Sequence, residues 1–300
     1  MIKNKKIIIF GVSGRLGFDL ARKLVKHNKV FGVARFRDKQ KHEQLKQMGV
    51  QTIPFDVTSE ALQKIQVDCD YVINEVAFMH GAEEDPQQAY QTNAYFVARL
   101  METFSSVKGI VHASTGNVYG LPGNPVTEET PEAPVGVYAL SRFVGEQFIK
   151  YYSSKNRTPV SILRYFYGND ERYGVIYKLA KLILAGKEIP VHFGSMINCI
   201  AHEDLVDFTI ASLQHCQIPP LIMNITSPEP VEVKELVIRI AKALGVEHLN
   251  FKENHQRNQM TLAAYTPIQN KLLGRPKVGL EAMVHRIARA VLKENQQKSN

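Results

Sequence analysis

The sequence predicts an α/β fold built on a doubly wound parallel sheet. Three observations carry this. Short Ile/Val/Phe runs show little polar alternation, amphipathic stretches separate them, and three glycines at three-residue spacing follow the first run. Strands buried on both faces lose the period-two pattern, so strands are expected over 6–10, 29–34, 50–54, 70–74, 108–113 and 158–164. Helices are expected between them over 15–27, 38–47, 59–66, 87–105 and 136–154. Such crossovers place a ligand at the carboxyl ends of the strands. From about residue 165 the pattern loosens. Helices over 173–185, 231–244 and 279–293 are joined by loops holding Pro190, Pro219, Pro220, Pro228, Pro230, Pro267 and Pro276. The expected division is a first domain over 1–165, to which roughly 197–225 returns, and a smaller, irregular α/β substrate-binding lobe over 166–196 and 226–300.

The 300 residues are 44% apolar, enough for a large core. No apolar run approaches the roughly 20 residues of a membrane span. The run Ile7 to Phe10 is too short for a signal peptide, so a cytoplasmic location without membrane contact is expected. Cys69, Cys199 and Cys216 are scattered, and the ten histidines show no HxxxH or HxH pairing, so neither a disulfide nor a metal is expected. The net charge is +8, and residues 1–46 hold thirteen Lys/Arg against three Asp/Glu. No nucleic-acid motif accompanies this basic segment. An anionic cofactor or a nucleotide-linked substrate accounts for it equally well.

The first strand, turn and helix suit a pyrophosphate. Gly11 lets the backbone turn, Gly14 lets a phosphate approach the amides, and Gly17 lets the helix pack close to the strand. Ser13, Arg15 and Leu16 complete the turn as candidate cofactor contacts. The second strand ends in Arg35-Phe36-Arg37, where an acidic residue would read a ribose 2′-OH. Arg35 and Arg37 offer forks of donors to a 2′-phosphate instead, which favours NADP over NAD. Asp56 and Val57 follow the third strand, where an adenine would lie, although Asp56 reads equally as a helix cap. Ala77, after the fourth strand, suits the close approach of a dinucleotide.

The fifth strand leads into His112-Ala113-Ser114-Thr115-Gly116-Asn117-Val118-Tyr119-Gly120, and a predicted helix then carries Tyr138 and Arg142 four residues apart on one face. A phenol titrates near 10, roughly, so it needs a neighbouring cation to act as a base near neutrality. Arg142 is that cation, and the Thr115 hydroxyl is placed to orient a reacting alcohol or carbonyl. The three can move a proton while a nicotinamide moves a hydride.

These residues resemble the extended short-chain dehydrogenases/reductases, the NAD(P)-dependent epimerase/dehydratase group. The resemblance covers nearly the whole chain. It rests on Gly11, Gly14 and Gly17, on Ser114-Thr115 before Val118-Tyr119-Gly120, and on the Thr-Glu and Pro run before Tyr138. Ser141, Glu146, Leu163-Arg164-Tyr165-Phe166-Tyr167-Gly168 and Ile200-Ala201-His202-Glu203-Asp204-Leu205 add to it. It implies a Rossmann domain with Thr115, Tyr138 and Arg142 as catalytic residues. Tyr138 and Arg142 would also touch the cofactor, and Ser114, Asn117 and Tyr165 the substrate.

Three departures narrow it. Arg142 stands where the family has the lysine that bonds the nicotinamide ribose. Gly116 and Asn117 replace an acidic pair, which argues against dehydration. Ile197, beside Asn198, stands where an arginine meets the diphosphate, with Arg164, Arg172 or Lys178 as substitutes. Glu75 also occupies an ordinarily apolar place, as a site carboxyl or a solvated one. The expected function is an epimerase or ketoreductase acting on a nucleotide-linked sugar or a related keto or hydroxy compound. The alternative is a dinucleotide-binding sensor impaired by Arg142. A homodimer is expected through Phe143, Phe148, Tyr151 and Tyr152 on one helix and Tyr95, Phe96, Leu100 and Phe104 on another.

Overall fold

The computed structural model describes residues 2–59, 61–192, 194–254 and 261–299. A seven-stranded sheet organises it. Its strands are β1 (Lys6–Phe10), β2 (Lys29–Ala34), β3 (Gln51–Pro54), β4 (Tyr71–Asn74), β5 (Gly109–Thr115), β6 (Val160–Tyr165) and β7 (Leu221–Ile225). Their order is β7-β6-β5-β4-β1-β2-β3. The pairings β1–β2, β1–β4, β2–β3 and β4–β5 are parallel, with Ile8 level with Phe31 and Val72. The order reverses beside β1, which is where such sheets open a ligand crevice.

The helices between the strands are α1 (Arg15–Leu24), α2 (Lys39–Gln47), α3 (Pro86–Tyr90), α4 (Phe96–Thr103) and α5 (Gly136–Asn156). Local chemistry sets their ends. Asp38 caps α2 by accepting from the Lys41 N–H, and Asp85 caps α3 by accepting from the Gln88 N–H, with Pro86 in the first turn. Two expectations need correcting. The helix expected over 59–66 is only a 3₁₀ turn, Leu62–Lys64, around the described residues. The helix expected over 87–105 is interrupted by a π turn at Gln91–Tyr95. The strand Leu221–Ile225 was not expected at all.

Contacts divide the chain into two units. The first is Met1–Val118, Pro134–Arg164 and Val206–Met223, and the second is Tyr119–Ala133, Tyr165–Leu205 and Asn224–Asn300. In the first, Ile8, Phe10, Val72 and Ile110 from the strands pack with Phe96, Leu100, Phe104 and Ile149 from the helices. Phe96, Leu100 and Phe104 are therefore core residues and unavailable to a partner, whereas Tyr95 and Tyr151 are exposed. In the second, α6 (Val175–Leu184), α8 (Val233–Leu244) and α10 (Leu280–Ser299) share a core of Ile176, Ile183, Val237, Ile240, Val284 and Ile287. The labels α7 (His202–Ser212) and α9 (Pro267–Leu272) complete the series. No helix among the described residues is long and apolar enough to cross a membrane.

The contact between β1 and α1 is the tightest backbone approach near the site. A Cβ on Gly17 would lie 2.4 Å from the Gly11 carbonyl oxygen and 2.9 Å from Val12 Cα. Backbone atoms cannot swing away, so Gly17→Ala should cost about 1–3 kcal/mol in denaturant unfolding. An unchanged unfolding midpoint would remove the close-approach explanation.

Candidate active site

A cleft of about 230 Å³ opens at the carboxyl ends of β1, β2, β3 and β4. Gly11, Ser13 and Gly14 line it on one side, Arg35, Asp56 and Val57 on another, and Glu75, Val76 and Ala77 on the third. Seven sequence-predicted cofactor residues thus meet in one cavity. Arg15, Leu16, Gly17, Arg37, Tyr138 and Arg142 do not line it. Gly17 acts underneath, through the close approach described above. Gly11 has φ +82°, a conformation that favours glycine, and a Cβ there would lie 3.0 Å from the Glu75 carbonyl carbon and 3.1 Å from the Val76 nitrogen. The glycine turn and the segment after β4 therefore touch backbone to backbone.

Phe36 shapes the turn that follows β2. It is buried with φ +48° and stacks on His42, with ring centroids 4.0 Å apart. This left-handed turn separates Arg35, which lines the cleft, from Arg37, which does not. His42 is in turn bonded to Thr52 Oγ1 at 2.9 Å, and Lys41 Nζ donates to the Ser13 carbonyl at 3.4 Å. Burial alone would raise the Asp56 carboxyl. Donation from the Thr58 N–H and hydroxyl, together with the fields of Arg35 and Arg37, outweighs it and holds the group below its ordinary value. Asp56 thus answers part of the arginine charge. It turns towards Thr58 in a local loop rather than capping a full helix.

Tyr138 is the third residue of α5 and is half-buried, and Arg142 lies one turn further on with 1% exposure. Arg142 Nη1 donates to the Val76 carbonyl at 2.9 Å. Its Nε is buried with no partner among the described residues. The start of α5 is held by Glu83, whose Oε1 accepts from the Val137 N–H at 2.7 Å. Thr115 ends β5 and is buried, its hydroxyl accepting from the Asn117 N–H at 3.2 Å. The Ser114 hydroxyl instead donates to Glu146 Oε1 at 2.5 Å. Glu146 forms a fully buried ion pair with Arg164 at 2.6 Å, so Arg164 is committed to the core and is not a free diphosphate contact. Ile197 is buried, and Asn198 bonds the Ser227 carbonyl and the Ala264 N–H. Tyr165, half-buried at the end of β6, belongs to the second unit.

Three residues outside the sequence reading matter here. Asn93, in the π turn, accepts from the Phe78 N–H at 2.8 Å and donates to the Phe78 carbonyl and to Ser141. It ties the cleft-lining Phe78 to Ser141 of α5, and nothing in the sequence sets it apart from the polar Gln88, Gln91 and Thr92 around it. Asn74 and His112 face each other across β4 and β5, joined Nδ2 to Nδ1 at 3.0 Å. Burial first, and the Arg142 charge second, hold the His112 imidazole well below its ordinary value.

The folded chain therefore keeps His112 neutral at pH values where the unfolded chain protonates it. The stability this residue contributes is complete above about 6.5 and is lost as pH falls below that value. Its share of the loss is about 1.4 kcal/mol per pH unit. Unfolding measured between pH 5 and 7 should show a slope shallower by one proton in His112→Gln. Equal slopes would contradict the neutral imidazole.

The profile of the NAD dependent epimerase/dehydratase family matches residues 7–226. UDP-arabinose 4-epimerase 1 of Arabidopsis thaliana is 28% identical over 201 residues, which is 57% of this chain and 48% of that protein. Protein CapI of Staphylococcus aureus is 26% identical over 282 residues, 81% of this chain and 84% of its own. The match thus spans about half the length of the first relative and most of the second. Among solved structures, a UDP-glucuronic acid 4-epimerase from Bacillus cereus, in complex with UDP-glucuronic acid and NAD, has a TM-score of 0.81 at 21% identity, over 96% of this chain and 99% of that one. A UDP-N-acetylglucosamine 4-epimerase from Methanobrevibacter ruminantium M1 reaches 0.84 at 20% identity, over 98% of this chain and 100% of that one. At such identities the structures speak for the fold. The family match covers most of the chain, and the protein belongs to the NAD dependent epimerase/dehydratase family.

Proposed function

We propose that this family member is an NAD-dependent sugar-nucleotide epimerase of the 4-epimerase type. The observation that carries the reading is the convergence of the glycine turn, Arg35, Asp56 and Val76-Ala77 on one cleft, with the buried Arg142 guanidinium bonded to Val76. The residues present fit a dinucleotide. Absence of side chains at Gly11 and Gly14 leaves room for a pyrophosphate at the start of α1. The unpartnered Arg142 Nε–H is a donor suited to a ribose hydroxyl. The dinucleotide we assign is NAD, which is named with the Bacillus cereus structure. The comparisons give no support to the NADP preference read from Arg35 and Arg37, and Asp56 offsets part of their charge.

NAD, when bound, accepts a hydride from a sugar carbon and returns it to the opposite face. The chain supplies the proton chemistry. Tyr138 Oη takes the hydroxyl proton as the hydride leaves and gives it back on return. Arg142 supplies the fixed positive charge one turn below. Thr115 Oγ1 holds the reacting oxygen in line. Gly116 and Asn117 offer no acid for a leaving hydroxyl, which favours epimerisation over dehydration. We assign Asn117, just after β5, to recognition of the nucleotide-linked sugar. Ser114 acts from below, through Glu146. A homodimer formed through Tyr95, Phe148, Tyr151 and Tyr152 completes the reading. The Tyr95 and Phe148 rings already meet at a tilt, with centroids 6.2 Å apart, and Tyr151 is exposed.

A second reading has two observations behind it. Arginine stands at position 142 in place of the family's lysine, and Ile197 is buried, as expected of a dinucleotide-binding sensor that has lost turnover. Tyr138→Phe separates the two. An epimerase should lose about 10²–10⁴-fold in turnover of a UDP-sugar while NAD affinity stays within a few-fold. A wild-type protein that binds NAD but turns over no UDP-sugar would establish the sensor, and a Tyr138→Phe variant at near-normal rate would remove Tyr138 from the chemistry.

A further inference from the structure

The side chain of Asn74 joins two elements of the cofactor site. Its Oδ1 accepts from the Val76 N–H at 3.1 Å, and its Nδ2 donates to His112 Nδ1 at 3.0 Å. A backbone N–H can only donate, so Val76 fixes which way the amide points. His112 Nδ1 is then an acceptor, and the proton of the neutral ring sits on Nε2. Arg142 grips the same residue from the other side, through the Val76 carbonyl. Val76 is thus held at its N–H and at its C=O, next to Gly11, and it lines the cleft. Asn74 and His112 are fully buried and Arg142 is 1% exposed.

We propose that Asn74 is a positioning residue of the cofactor site, and that the Asn74–Val76–Arg142 chain, with His112 held as its Nε2–H tautomer, makes arginine rather than lysine the working residue at position 142. The proposal rests on the cofactor assignment above. A buried lysine ammonium is a compact charge that needs several acceptors, whereas a guanidinium spreads its charge and bonds in a fixed fork. The one lone pair of the neutral imidazole, on Nδ1, is taken by Asn74, so the ring has nothing to give an ammonium. The guanidinium takes the Val76 carbonyl with Nη1 and keeps Nε–H for the cofactor. Arg142 is therefore fitted to its surroundings and is not a damaged lysine.

Cofactor affinity and the imidazole tautomer test this separately. Arg142→Lys should weaken NADH binding about tenfold or more, since a hydrogen bond from a charged group is lost. Asn74→Ala should weaken it in the same sense, and the double variant by little more than the worse single change, because both act through Val76. Nitrogen NMR of the unliganded wild-type protein should find His112 protonated on Nε2. Asn74→Asp, which puts an acceptor opposite Nδ1, should move the proton to Nδ1. Wild-type binding with Arg142→Lys equally tight or tighter overturns the inference alone, as does a wild-type His112 protonated on Nδ1. A wild-type protein that binds neither NADH nor NADPH overturns the proposed function and with it the cofactor role of Asn74.

Discussion

The site depends on backbone meeting backbone where β1 turns into α1. Gly17 brings the helix to within 2.4 Å, measured to a would-be Cβ, of the Gly11 carbonyl, and Gly11 leaves 3.0 Å to the segment after β4. A side chain at Gly17 would push α1 away from β1, and one at Gly11 would push β1 away from the segment after β4. The same closeness leaves helix N–H groups open to an anion. Everything else at the site is arranged around this junction. Asp56 and Arg35 stand on one side of it and Val76 on the other.

Charge is then distributed in two layers. Deep under α5, Glu146 and Arg164 neutralise one another with no exposure, and Ser114 is tied to them. Removing one partner would leave a buried charge unanswered, so this pair fixes the register of α5 against β5 and β6. Nearer the cleft, Arg142 is the charged group whose field reaches the neutral His112. The helix carrying Tyr138 is therefore anchored by the Glu146–Arg164 pair, by Arg142 in its second turn and by the Glu83 carboxylate at its start.

Much of this was legible in the sequence. Six strands were readable because strands covered on both faces are continuous apolar runs. The glycine turn was readable because glycine spacing states a geometric need. β7 escaped because Leu221–Ile225 is a short edge strand that carries the polar Asn224 and follows a proline pair. The π turn escaped because Gln91 to Tyr95 keeps a helical composition. The dimer faces were misread in part, since Phe96 and Phe104 face the sheet on the same helix whose Tyr95 faces outward. The Asn74–Val76–Arg142 chain was invisible because Arg142 is distant in sequence from the other two and both links run through the backbone of Val76. Only the oddity of arginine at position 142 marked the place.

The most direct measurement is a fluorescence titration of the purified protein, freed of any nucleotide carried through purification, with NADH and then NADPH. The account predicts saturable NADH binding at one site per chain, with NADPH no tighter. Tighter NADPH would contradict the NAD assignment and return the 2′-phosphate to Arg35 and Arg37. Binding of neither would contradict the reading of the glycine turn as a dinucleotide site.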